Sequence, residues 1–536
     1  MIAAEAIIKC LRREGVEVVF GYPGGAVLPI YEYLRQSNIR HVLTRHEQAA
    51  GHSASGYARA AGKTGACIVT SDPGATNLIT AVANAYMDST PIVAITGQVR
   101  SGLIGKDVFQ EADIIGSTAS FTKHSYLIKD AEEIPRIIKE AFHIASTGRP
   151  GPVLIDIPVD IQNREIDFEC PKEVNIRGYK PNINGHKLQI RKAVEAIKRS
   201  KRPLICLGGG VISAKAQKEV EEFIEKGKIP AVHTLMGKGS IKDKNLYYLG
   251  LIGSHGSCHC NKALANADVL VLVGARAADR AIRDKSLFSH GATIIHIDID
   301  PAEIGKTLNS MIPVVGDAKN ILKQMTQHME PLDTQEWIQE INSWKKEGDN
   351  GSKHSIGVDP RDVMSILSGK VDMNAILTAD VGQNQIWAAH NFIIDGDRKF
   401  ITSGGLGTMG YAIPAAIGAK IGEPNRQAIA VMGDGSFQMS FNELGTLIQE
   451  NLKILFLMFN NSRLGMVREL QTNARWDTFG IELPNNPDFM KIFEAYGLQG
   501  ARVKTNDEFK SALDKALISD KSFLIECIVD PNLSTL

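Results

Sequence analysis

The chain has 536 residues, with 60 Lys and Arg against 60 Asp and Glu, so its formal charge is zero and no basic block marks it for nucleic acid or an anionic membrane surface. Hydrophobic residues make up 43%, ordinary for a globular chain long enough for about three or four domains. Aromatic residues, at 6%, are too sparse for a base-stacking platform, and the seven scattered cysteines (Cys10, Cys67, Cys170, Cys206, Cys258, Cys260 and Cys527) form no disulfide framework. No apolar stretch approaches the ~18 residues of a membrane helix. The start, Met1 to Glu5 and on to Lys9, reads as an amphipathic helix and not as a signal peptide. The expectation is a soluble, cytoplasmic protein with free thiols.

Along the chain, short β-branched apolar runs alternate with helical patterns. Strands are expected near 66–70, 91–96, 153–157, 204–207, 269–273, 293–297, 428–432 and 452–459. Continuous apolar strands separated by helices imply parallel sheets covered on both faces. Polar, Pro- and Gly-containing breaks at 163–186 and 330–360 then suggest three doubly wound α/β domains, at 1–165, 186–330 and 355–536.

The strongest local chemistry lies in the last of these. The strand at 428–432 runs into Gly433, Asp434, Gly435 and Ser436, and a second apolar run ends at Asn460 and Asn461, so that Asn461 follows Asp434 by 27 residues. That spacing fits one crossover helix between parallel strands, which brings both strand ends to the carboxyl edge where ligands bind. A carboxylate and an amide oxygen are hard ligands suited to Mg²⁺, and flanking glycines let backbone N–H groups approach a diphosphate. The middle domain reads as nucleotide-binding. Its strands end in Gly208, Gly209 and Gly210, in Gly274, Ala275 and Arg276, in Asp298 and Ile299, and in Asp317. Strand-end glycines and acids also occur without a ligand, and the triple glycine is not the dinucleotide fingerprint. Cys258-His259-Cys260 lacks a second ligand pair with zinc spacing and reads as packing.

The whole chain resembles the large catalytic subunit of the acetohydroxyacid synthase (acetolactate synthase) family of thiamine-diphosphate enzymes. The resemblance rests on Gly21-Tyr-Pro-Gly-Gly25, Arg45-His-Glu-Gln48, Ser71-Asp-Pro-Gly-Ala-Thr-Asn77, Phe109-Gln-Glu111, Asp380-Val-Gly-Gln383, the stretch from Ser403 to Gly410, Gly433 to Met439 and Leu464-Gly-Met-Val467. It implies decarboxylation of pyruvate on thiamine diphosphate and transfer of the two-carbon unit to a second 2-keto acid. The product would be 2-acetolactate or 2-aceto-2-hydroxybutyrate, in branched-chain amino-acid synthesis. A related 2-keto acid decarboxylase or carboligase, or a catabolic acetolactate synthase, is the alternative. A non-catalytic paralogue is the rival reading, and intact Glu47, Asp434 and Asn461 argue against it.

The same resemblance assigns roles. Glu47 would sit against N1′ of the aminopyrimidine, Gly25 would offer an N–H to a developing alkoxide, and Gln110 would contact the intermediate. Gly382, Gln383, Gly407, Met409 (as the wedge that bends the cofactor) and Met466 would join Gly433, Asp434, Gly435, Ser436 and Asn461 around thiamine diphosphate. Asp434, Asn461 and the Arg463 carbonyl would hold Mg²⁺. A structural FAD would lie on Arg149, Gly208, Gly209, Gly210, His255, Gly274, Ala275, Arg276, Asp279, Asp298, Ile299 and Asp317. Phe109, Arg280 and Leu470 would face the substrates. Leu470 stands where the family usually has tryptophan, which implies a weakened preference for 2-ketobutyrate as acceptor. The implied assembly is a homodimer or homotetramer, with a possible small regulatory subunit.

Overall fold

Among the described residues eighteen strands build three six-stranded sheets in which every strand pairing is parallel. The computed structural model describes residues 1–282, 291–309, 311–348 and 356–535. Residues 355 and 536, the expected ends of the third domain, lie outside the described residues.

In spatial order the first sheet is Arg40–Leu43, Val18–Tyr22, Gly65–Val69, Ile92–Gln98, Val153–Pro158 and His124–Leu127. The third is Lys399–Thr402, Ile376–Ala379, Ala428–Gly433, Ile454–Asn460, Phe523–Ile528 and Gln499–Val503. Numbered within each sheet, both follow the order 2-1-3-4-6-5, so the two are topological copies. The order of connection reverses between their strands 1 and 3, and open parallel sheets bind ligands at such a switch point. The second sheet runs Ile312–Val315, Thr293–Asp298, Val269–Val273, Pro203–Leu207, Ala231–His233 and Tyr248–Leu251. Read from its other edge this is 3-2-1-4-5-6, the order of dinucleotide-binding sheets.

Burial explains the continuous apolar runs. In the second sheet Ile205, Leu207, Val271, Val273, Ile295 and Ile297 enter one core, while Leu204, Cys206, Leu270, Leu272 and Ile294 enter another. Alternate residues thus face opposite layers, and both layers are covered, so no polar alternation survives in the sequence. The expected strands at 269–273 and 428–432 coincide with observed ones to within a residue. Cys258–His259–Cys260 opens the helix Cys258–Asn266, and among the described residues no group of three or more His, Cys, Asp or Glu is placed to hold a metal.

The chain clusters into two compact units. One comprises 1–179, 374–385 and 401–531, with the first and third sheets; the other comprises 180–373, 386–400 and 532–536, with the second. Within the first unit a single core joins strand residues Phe20, Cys67 and Ala94 to Ala430, Phe456 and Met458. Two helices, Glu47–Ala61 and Ala412–Gly422, cross there through reciprocal glycines. A Cβ on Gly56 would sit 2.1 Å from the Ala415 carbonyl oxygen, and one on Gly418 only 1.9 Å from that of Ser53. The Ser53 hydroxyl donates to the Pro414 carbonyl at 2.9 Å, and Ser55 and Tyr411 share a hydrogen bond.

Alanine ordinarily stabilises a helix over glycine by roughly 1 kcal/mol. At Gly418 the backbone clash outweighs that gain. We expect Gly418→Ala to cost at least the ~1–3 kcal/mol typical of overpacking, read as a lower denaturant midpoint. An unchanged midpoint would mean that the helices part easily.

Candidate active site

The third sheet places its functional residues at its switch point. Strand Ile376–Ala379 ends in Asp380-Val381-Gly382-Gln383, and its neighbour Ala428–Gly433 ends at Asp434. The next strand, Ile454–Asn460, pairs Phe459 with Gly433, so Asn461 emerges beside Asp434. The Asp434 carboxylate is buried, accepts the Asn486 side-chain N–H at 2.6 Å and receives the backbone N–H groups of Gly435 and Asn461. Burial nonetheless pushes its pKa up to about 6. A buried acid held in this way fits a cation, whose charge would restore the carboxylate.

Asn461 donates through Nδ2 to Gln383 Oε1 at 2.9 Å, while its oxygen takes the Arg463 N–H at 3.1 Å. Gln383 in turn donates to the buried Glu469. Gly465 makes room for this chain of side chains, because a Cβ there would lie 1.9 Å from Gln383 Oε1. The Arg463 guanidinium pairs with Glu482 at 2.8 Å, so only its main chain is available to the site. Ser436 Oγ donates to the Val381 carbonyl at 3.2 Å.

Above this floor runs the loop from Ser403 to Gly410. Gly407 and Gly410 take φ of 78° and 82°, which favour glycine, and the Gly407 Cα faces open space. The loop ends on Asp380, whose two oxygens accept the N–H groups of Gly410 at 2.9 Å and Ala412 at 2.8 Å. Met409 is half-buried, with Cε beside Gly435, which Leu464 and Leu483 also approach. Met466 follows Gly465 on the helix Gly465–Asn473, which also carries Leu470, 43% exposed.

The first sheet presents a second group. Glu47 opens the helix Glu47–Ala61, whose N-cap His46 accepts the Gln48 N–H. Asn77 donates to Glu47 Oε2 at 3.0 Å, and Gly74 lies against the same carboxylate. The main chain just before Glu47 is tied to the third sheet's side, where the buried Glu443 accepts the Arg45 N–H at 2.9 Å. Burial pushes Glu443 up to about 7. Gly25 begins a single 3-10 turn at the end of strand Val18–Tyr22, exposed and with nothing near its Cα. That turn is pinned by Thr70, which accepts the Ala26 N–H, and by Gln162, which donates to the Ala26 carbonyl at 2.7 Å. Phe109 is 88% exposed, and Gln110 adopts φ of 58°.

In the second sheet, Gly208 and Gly210 meet Gly274 at the point where strand order reverses. A Cβ on Gly208 would lie 2.1 Å from the Gly274 carbonyl oxygen, and the Gly210 N–H donates to that oxygen at 3.0 Å. Two of the three glycines therefore serve close approach of protein backbone. Gly209 lies against Met236 and Ala275 is buried. The His255 carbonyl accepts from His390, and Asp298 takes the Asp300 N–H in a turn that includes Ile299. Asp317 caps the helix Ala318–His328. Asp279 and Arg280 are largely exposed and face one another at 3.8 Å, and Arg276 follows Ala275 in the same loop. Arg149, in the first unit, donates to Ser89 Oγ at 2.9 Å and stacks on Tyr86.

Sequence reasoning assigned no role to Asn486, Glu469, Asn77 or Gln162. Asn486 and Glu469 are distant in sequence from the groups they hold and carry no spacing signal. Asn77 lay within a quoted motif whose chemistry pointed elsewhere.

Three family models match in chain order: "Thiamine pyrophosphate enzyme, N-terminal TPP binding domain" over residues 1–117, the "central domain" of the same enzymes over 190–325, and their "C-terminal TPP binding domain" over 380–527. Fold and matched domains together define a thiamine pyrophosphate enzyme. The chain is 46% identical to the probable acetolactate synthase large subunit of Methanocaldococcus jannaschii, over 99% of this chain and 92% of that one. It is 44% identical to the acetolactate synthase large subunit of Corynebacterium glutamicum (99% and 87%), and 42% identical to isozyme 3 of Escherichia coli (96% and 92%). The chain belongs to the acetolactate synthase large-subunit family. Among the described residues no helix is long and apolar enough to cross a membrane.

Proposed function

We infer that this chain makes 2-acetolactate from two molecules of pyruvate, and that its residues divide the work as follows. Thiamine diphosphate, when bound, supplies the carbon nucleophile and electron sink for decarboxylation and carbon–carbon bond formation. The observation that carries the reading is the meeting of buried Asp434 with Asn461 and Gln383 at the switch point of the third sheet. Asp434, the Asn461 side-chain oxygen and the Arg463 carbonyl would hold Mg²⁺ against the diphosphate. Gly382, Gly433, Gly435 and Ser436 would line the phosphate-binding edge. Met409 and Met466 would pack on the aminopyrimidine, with the Gly407 carbonyl accepting its amino group. Glu47 would hold the proton at N1′, and the Gly25 N–H would face the substrate oxygen.

Glu47 stands on the first sheet's side and Asp434 on the third's, and the family resemblance implies a site completed by a second copy, each chain giving its Glu47 to the other's Asp434. The relatives are named large subunits, which supports a small-subunit partner. The strand order of the second sheet favours a bound FAD, which a flavin absorbance spectrum of the purified protein would test. Product identification after incubation with pyruvate, thiamine diphosphate, Mg²⁺ and FAD tests the whole reading; absence of acetolactate would overturn it.

Leu470 bears on acceptor choice. One methylene in an apolar pocket is worth ~1–3 kcal/mol, roughly 10- to 200-fold. We expect Leu470→Trp to raise the preference for 2-ketobutyrate over pyruvate at least ~10-fold in a competition assay. An unchanged product ratio would show that neighbouring residues set the pocket.

A further inference from the structure

The helix Pro73–Met87 carries both of its asparagines on one face of a largely apolar body. Asn77, Ala81, Asn84 and Asp88 are spaced i, i+4, i+7 and i+11, and so share one face, with Asp88 at the helix C-cap. That face is engaged at both ends. At the first, Asn77 holds the Glu47 carboxylate at 3.0 Å. In the middle, Ala81 packs on Gly51 of the Glu47 helix, where a Cβ would come within 2.5 Å. At the other end, fully buried Asn84 accepts through Oδ1 from the hydroxyls of Ser403 and Thr408, the latter at 3.3 Å. The Ser403 hydroxyl also takes the Thr408 N–H at 2.9 Å, closing the loop on itself. Asp88 Oδ1 accepts the Gly405 N–H at 2.6 Å. A Cβ on Gly405 would lie 2.6 Å from the Met87 carbonyl oxygen, so the loop is seated directly on the helix end.

We propose that Asn84 and Asp88 are positioning residues: with Asp380 at the far end, they clamp the Ser403–Gly410 loop so that Gly407 and Met409 are held in place before the cofactor arrives. The proposal rests on the reading of that loop as the aminopyrimidine seat. Its physical basis is the loop's composition. Ser403-Gly404-Gly405-Leu406-Gly407 has three glycines, and three of its five residues are exposed, so its ordering entropy is large and must be met by fixed partners. Besides the Ser403 hydroxyl within the loop, Asn84, Asp88 and Asp380 are the groups that answer its N–H and O–H donors among the described residues. The same helix thereby sets the position of the Glu47 carboxylate and of the Met409 loop together.

The test compares Asp88→Ala, Asp88→Asn and Met409→Ala in the full-length protein. In cofactor-free protein, amide exchange at Gly405–Met409 should quicken in Asp88→Ala and return toward wild type in Asp88→Asn, whose amide oxygen still accepts the Gly405 N–H. Thiamine-diphosphate affinity by calorimetry should weaken about tenfold in Asp88→Ala, the size of one lost hydrogen bond to a charged group, with the asparagine variant restoring most of it. Unchanged exchange in Asp88→Ala overturns the clamp. Faster exchange with unchanged affinity also overturns it if Met409→Ala weakens binding. If Met409→Ala binds normally as well, the cofactor reading of the loop fails and the proposal falls with it. Should the alanine variant not fold, wild-type exchange and affinity in Asp88→Asn, set against faster exchange in Asn84→Ala, still support the clamp; wild-type exchange in Asn84→Ala overturns it.

Discussion

Replacing Glu47 with glutamine is expected to leave a folded, cofactor-binding protein whose turnover of pyruvate falls about 10²–10⁴-fold, the usual contribution of a general acid or base. The amide matches the carboxylate in size. Its oxygen can still accept the Asn77 N–H that Glu47 Oε2 accepts at 3.0 Å, so the helix start keeps its shape. Losing a negative charge in the first helical turn costs about 0.3–1 kcal/mol, too little to unfold a chain with cores on both faces of its sheets. In the proposed role at N1′, what the amide cannot do is hold and release a proton. Activity and affinity should therefore separate: calorimetry with thiamine diphosphate stays near wild type while pyruvate consumption collapses. Turnover near wild type with cofactor bound would remove Glu47 from the chemistry.

The elements that could be read from the sequence were those whose surroundings are uniform. Val269–Val273 and Ala428–Gly433 are buried on both faces, so their apolar runs are unbroken and mark strands without ambiguity. The edge strands behave differently. His124–Leu127, Tyr248–Leu251 and Gln499–Val503 are partly exposed and break their apolar residues with polar ones or glycine, and their identity as strands comes from a neighbour's ladder. Strand order is likewise a property of tertiary contact. Nothing in the local pattern tells that the first and third sheets share 2-1-3-4-6-5, or that they lie in one unit through Gly56 and Gly418.

The site divides along the same line. Asp434 and Asn461 were legible because adjacent parallel strands turn a sequence interval into a spatial meeting. Asn486 lies well downstream of Asp434 outside any strand, and Glu469 reaches Gln383 from the middle of a helix; neither has a register to betray it. The triple glycine at Gly208–Gly210 shows the reverse. Its composition suggested room for a ligand, yet the space at Gly208 and Gly210 is filled by the backbone of Gly274. The shared face of Asn77, Asn84 and Asp88 did carry a signal, a helical period of polar residues on a largely apolar helix, but one that points to a partner without naming it.

Asp434→Ala is expected to weaken Mg²⁺-dependent binding of thiamine diphosphate by at least ~100-fold, because removing one member of a buried charge pairing costs ~3–5 kcal/mol. Stability should move the other way. The folded-state pKa of Asp434 is raised to about 6 by burial, from the usual 3.8. A raised carboxylate contributes stability below its unfolded value and loses it as pH climbs through the folded one. Above about pH 6, in the absence of a cation, the ionised Asp434 is therefore a net cost, only partly offset by Asn486 and three backbone N–H groups, its own and those of Gly435 and Asn461. The alanine variant should match or exceed wild type in thermal midpoint at pH 8 with a chelator present, and lose that advantage at pH 4. Added Mg²⁺ and cofactor should then raise the wild-type midpoint and leave the variant's unmoved, since only a state that binds is stabilised. Equal stabilisation of both proteins by Mg²⁺ and thiamine diphosphate would mean that the cation is seated elsewhere, and that the buried carboxylate serves the turn at Gly433 and Gly435 alone.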